Sequence, residues 1–150
     1  MIDRIAVVAA ISVAVFEKRR REGLYKLLNA KSYTFPQSHR LRTKREFDEV
    51  YHAKVKDNRG PIVVFAKPNE LSHPRLGLSV GRAVGTAPRR NAIKRRVREA
   101  FRLMQHDFPQ GYDLLIVVRP HAPLPLADYQ RALSGAVVKL HKIWSEREKE

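Results

Sequence analysis

Apolar residues recur along this chain in two rhythms, and each predicts its own kind of element. From residue 93 to 104, Ile93, Val97, Ala100, Phe101 and Met104 return every three or four positions, as they do on a helix with one buried stripe. At about 100° per residue, Asn91, Arg95, Arg98 and Arg102 fall on the opposite side. The same spacing puts Tyr129, Leu133, Val137, Leu140 and Trp144 on one face of a later helix, from Ala127 to about Ser145. Shorter runs read as strands. Ile62–Ala66 is β-branched and lies between the turn residues Asn58-Arg59-Gly60-Pro61 and Lys67-Pro68-Asn69. Arg75–Val80 is bounded by Pro74 and Gly81, and Asp113–Val118 is the apolar run of a central strand buried on both faces.

Punctuation between these runs completes the order. Thr43-Lys44-Arg45-Glu46 has the form of a capping box opening a helix through about Ala53, on which Phe47 and Tyr51 share a face. Thr86 or its neighbours would cap the long helix of about 86–106. Helix, strands, helix, strand, helix in one short chain predicts an α+β sandwich, a small sheet covered on one face by helices. Between Ser32 and Arg42 the pattern lapses around Phe35-Pro36, which divides the chain into an extension, 1–35, and a folded domain, 36–150. Within the extension, the twelve-residue run Ile5–Phe16 is short of the roughly 20 residues that span a bilayer. The basic cluster Lys18–Arg21 stands where a signal peptide would carry small residues. A membrane-surface helix over residues 5–21, an added element of the domain, and residues read from too early a start codon all remain open.

Charge narrows the partner. The 150 residues include 30 Lys and Arg against 15 Asp and Glu, a net +15, of which the extension carries +4 and residues 36–150 carry +11. The body itself is the basic object. Between Gly77 and Arg102, eight cations (Arg82, Arg89, Arg90, Lys94, Arg95, Arg96, Arg98 and Arg102) accompany one acid, Glu99. Like charges on one helix face repel unless a partner offsets them, so a polyanion, nucleic acid first, is the expected ligand.

Other chemistries fare badly. The chain has no cysteine, which removes disulfides, thiolate metal sites and cysteine nucleophiles and fits a reducing cytoplasm. Gly77, Gly81 and Gly85 lie between a strand and a helix but form neither nucleotide-binding glycine motif; they would allow tight backbone geometry, with amides at the helix start free to hold a phosphate. The six histidines lack metal-site spacing, and Asp48 and Glu49, adjacent on a helix, diverge. No metal site, organic cofactor or catalytic side chain is expected. Phe47 and Tyr51, taken alone, fit core better than a ligand platform.

The segments Arg75-Leu76-Gly77-Leu78-Ser79-Val80, Arg90-Asn91-Ala92-Ile93-Lys94-Arg95 and Arg98-Glu99-Ala100-Phe101-Arg102 closely resemble the bacterial ribonuclease P protein component. Phe35-Pro36 with Arg40-Leu41-Arg42, Phe47 with Val50-Tyr51, Phe65, and Gly111-Tyr112-Asp113 with Val118-Arg119-Pro120 follow in family order, so the likeness covers about 35–145. One position departs: the family's Arg-Asn-Arg is Arg90-Asn91-Ala92 here. The resemblance implies an αβββαβα two-layer sandwich with a left-handed βαβ crossover, and a first strand near Val55–Asn58. It implies a protein subunit that binds the ribonuclease P catalytic RNA and the 5′ leader of precursor tRNA, with no obligate protein partner. In such an endonuclease, magnesium held mainly by the RNA supports hydrolysis that the RNA itself catalyses. Arg89, Arg90, Asn91, Lys94, Arg95, Arg98 and Arg102 would contact the catalytic RNA. Phe47, Tyr51 and Phe65 would stack on leader bases. The competing readings are a ribosome-associated or chaperone RNA-binding protein, and a basic protein of the membrane surface.

Overall fold

The computed structural model describes residues 33–109 and 111–149. The segments Ile5–Phe16 and Lys18–Arg21, and with them the membrane-surface reading, lie outside those residues. After a 3₁₀ turn at Gln37–His39 come α1 (Lys44–His52), β1 (Lys56–Arg59), β2 (Ile62–Pro68) and β3 (Arg75–Val80). A second 3₁₀ turn at Arg82–Val84 leads to α2 (Ala87–Met104), β4 (Tyr112–Val118) and α3 (Leu126–Glu148). The order is the expected αβββαβα.

The sheet runs β1-β2-β4-β3, with β1 and β2 antiparallel, β2 and β4 antiparallel, and β3 and β4 parallel neighbours joined through α2. Arg59 pairs with Ile62, so only Gly60 and Pro61 form the hairpin turn, and Gly60 takes φ +58°, open to glycine at little cost. The turn read from sequence as Asn58–Pro61 is therefore half strand. β1 itself is polar, Lys-Asp-Asn-Arg, and is a strand because β2 supplies its ladder.

Alternation along the strands divides the core in two. Ile62, Val64, Ala66, Leu76, Leu114, Ile116 and Val118 meet the buried stripe of α2 and that of α3 in the main core. All five stripe residues expected on α2 are buried, and Ile93, Ala100 and Phe101 are fully so. Each such aromatic or branched side chain contributes roughly 1.5–3 kcal/mol by leaving water. On α3, Tyr129, Leu133, Val137 and Leu140 are buried, and the Trp144 indole donates to the Ala66 carbonyl at 2.9 Å. Val63, Phe65 and Leu115 point to the opposite face, where α1 adds a smaller cluster through Val50 and Phe47, joined by Leu41.

Two polar ties fix α1 and the sheet ends. The capping box is formed: the Glu46 amide donates to the Thr43 hydroxyl at 3.2 Å, and the Thr43 amide donates back to the Glu46 carboxylate at 3.2 Å. Arg75 then bridges Asp113 with two hydrogen bonds (2.7 and 2.6 Å) and reaches Glu46 at 2.9 Å. Asn69 donates to the same Asp113 at 2.8 Å. Arg75 and Asp113 are register partners across β3 and β4, which is why the fork closes there.

Candidate nucleic-acid interface

α2 starts at Ala87 behind Thr86, whose extended backbone (φ −64°, ψ 161°) occupies the cap position while its hydroxyl makes no capping bond. Pro88 fills the first turn without an amide to satisfy. The positive end of the helix dipole, without a side-chain cap, lies beside the exposed Arg89. Gly85, at φ +146°, leaves room for the Arg89 stem: a β-carbon there would lie 2.6 Å from Arg89 Cδ. The positive φ is what calls for glycine here, and the exposed Arg89 stem passes close over it.

The outward face of α2 carries the expected row. Asn91, Arg95 and Arg98 are exposed, as is Arg89, while Arg90 and Lys94 are half-buried on the flank. Among the described residues no ion pair engages Arg89, Arg90, Lys94, Arg95 or Arg98. Arg90 Nε is buried without a hydrogen-bond partner. Arg102 differs. It forms a two-pronged pair with Glu99 and donates to the Tyr33 carbonyl at 3.0 Å. The Glu99–Arg102 hydrogen bonds hold the Glu99 carboxyl below the ordinary glutamate range and raise the Arg102 guanidinium further. Its role is then first to fasten the chain entering the domain, beside Gln105, which donates to the Thr34 carbonyl at 3.0 Å. Arg96 is tied to the Leu124 carbonyl at 2.7 Å, holding α2 to the segment before α3. Ala92, on the flank, adds no charge.

The aromatic set lies on the other face of the sheet. Phe47 is half-buried above Gly77, where a β-carbon would come within 2.8 Å of both Phe47 Cε1 and Leu41 Cδ1. Phe65 is only 6% exposed, with the Tyr51 ring 5.1 Å and the Lys56 ammonium 5.8 Å from its centroid. Tyr51 is 54% exposed and is the ring that meets solvent. By register, the row Lys56-Phe65-Leu115-Gly77 lies under α1, and the next row is Asn58-Val63-Val117-Ser79. Asn58 and Ser79 are exposed there and Val117 is half-buried, so Tyr51 stands at the rim of a shallow trough. Sequence reasoning passed over this second row, and only the pairing register reveals it.

The two surfaces are separate: the cation row is on the helix over one sheet face and Tyr51 rises from the other. Among the described residues, no three acidic or histidine side chains converge so as to hold a metal, and no helix is long and apolar enough to cross a membrane. The arrangement can neutralise phosphates and stack on a base.

Comparison with known proteins bears on the family and the fold. The family described as Ribonuclease P matches residues 35–141. The Staphylococcus aureus RNase P protein superimposes with a TM-score of 0.59 at 29% identity, over 69% of this chain and 95% of that one. The Thermotoga maritima RNase P protein gives 0.61 at 28% identity, over 67% of this chain and 96% of that one.

Proposed function

The chain belongs to the ribonuclease P protein family, and from that premise we propose that it binds the catalytic RNA through α2 and the 5′ leader of precursor tRNA through the trough beside Tyr51. The observation that supports this most is the unpaired row Arg89, Arg90, Lys94, Arg95 and Arg98, anchored by a stripe with no solvent exposure to spare. Each phosphate neutralised by such a row releases counterions, and Asn91 adds a neutral donor and acceptor to fix register. Tyr51 would stack on a leader base, with Phe65 and Phe47 supporting it from below. By occupying both RNAs, the protein lowers the repulsion between them, while magnesium binding and the cleavage step belong to the catalytic RNA.

Filter binding over a range of salt concentrations tests the assignment. Arg95→Ala with Arg98→Ala should weaken binding to ribonuclease P RNA and lower the salt slope by about two, at roughly 0.9 per lost phosphate contact. Tyr51→Ala should spare that binding and weaken capture of precursor tRNA by the assembled enzyme. An unchanged slope for the double variant would remove α2 from the interface.

A further inference from the structure

An open groove runs along α2 on the side away from Arg90, lined by Phe35, Arg40, Arg95, Arg98, Glu99 and Leu126. Phe35 sits with its ring 5.5 Å from that of Phe101, so one part of it belongs to the core. Above it the Arg40 guanidinium carbon lies 4.5 Å from the ring centroid, and Arg40 Nη2 donates to the Phe35 carbonyl at 3.2 Å. The backbone of Arg40 is bridged to Leu76 at the edge of β3, and the Leu41 amide donates to the Leu76 carbonyl at 2.9 Å. An exposed arginine is thus held at both ends, over an aromatic ring. Its planar group is presented to solvent already oriented, which reduces the entropy that a ligand contact would otherwise cost.

The charges around it are one-sided. Glu99, the one acid in the groove, is taken up by Arg102. Arg95 and Arg98 have no acidic partner among the described residues, and neither does Arg40. A platform of guanidinium over an aromatic ring, a few side chains from two uncompensated cations, fits the two halves of a nucleotide: a flat base and its phosphate. Resting on the RNA-binding function proposed above, we infer that Arg40 and Phe35 form a base-stacking subsite next to α2, which takes an unpaired base of the bound RNA while Arg95 and Arg98 hold the adjoining phosphates. This adds base stacking to a surface otherwise read as phosphate neutralisation with one neutral hydrogen-bonding group, Asn91.

Arg40→Lys separates the two roles, because it keeps the charge and removes the planar group. Binding of full-length ribonuclease P RNA should weaken roughly 5- to 100-fold, the range of a single stacking contact, with the salt slope unchanged. Arg40→Ala should give a similar loss with the slope again little changed, because the phosphates stay with Arg95 and Arg98, and thermal melting of each variant checks that the fold is intact. Phe35→Leu, which keeps apolar bulk against Phe101, should weaken binding without changing the slope. Wild-type affinity for Arg40→Lys, or a loss that comes with a reduced slope, overturns the stacking subsite. Arg95→Ala with Arg98→Ala serves as the control: if its slope falls while Arg40→Lys binds normally, only the subsite fails; if its slope is unchanged, the α2 surface fails as well.

Discussion

At position 77 there is no room for a methyl group, since a β-carbon would sit 2.8 Å from both Leu41 and Phe47. Gly77→Ala should therefore lower stability by about 1–3 kcal/mol, the usual range for overpacking, measured by urea unfolding. Glu46 makes a second residue-level prediction. Burial alone would raise its carboxyl, but hydrogen bonds from the Thr43 hydroxyl and amide, and the charge of Arg75, outweigh that and leave it below the ordinary glutamate value. A group depressed in the folded state stabilises above its unfolded pKa, near 4.3, and that contribution disappears as pH falls through the folded value. Stability should thus drop below about pH 4.3, and Glu46→Gln should be less stable at neutral pH with a flatter acid limb in pH-dependent melting. The sequence already displayed the Thr43–Glu46 cap, because its partners are three residues apart. It could not display Arg75 with Asp113, which depends on strand register, nor the bond from Arg102 to the distant Tyr33 carbonyl, which together with the Glu99 pair makes one of six cations on the expected RNA-binding list a structural tie.

On the scale of elements, α2 has two faces with opposite sensitivities. Ile93→Ala removes a fully buried side chain and should cost about 2–5 kcal/mol, whereas Arg95→Ala with Arg98→Ala removes exposed like charges and should leave the melting temperature unchanged or slightly higher. Parallel melting curves on the two variants check this. Period alone made this helix and α3 legible, and alternation with β-branched content did the same for β2, β3 and β4. β1 was hidden from the pattern because Lys56, Asp57, Asn58 and Arg59 carry no apolar alternation, and only the family resemblance placed a strand near it; its existence rests on the Gly60-Pro61 turn and on β2. The placement of α1 on the second face was equally invisible, since an apolar pair four residues apart says that a helix packs, not against which side of a sheet.

For the molecule as a whole, a net charge of +15 acts on folding and on binding in opposite directions. Self-repulsion destabilises the free protein, so its melting temperature should rise as salt shortens the screening length from about 30 Å to about 8 Å. RNA affinity should fall over the same range. The partly buried Arg75 network, screened less than exposed pairs, should not reverse the first trend. A basic body and a cation row were evident from composition and spacing, but the separation of two surfaces across one sheet was not, because it follows from which face each helix covers. Cleavage of precursor tRNA by ribonuclease P RNA at limiting magnesium, with and without this protein, is the most direct test. Wild-type protein should accelerate cleavage and the Arg95→Ala, Arg98→Ala protein should do so much less, whereas a rate equal to that of the RNA alone with the wild-type chain would contradict the account.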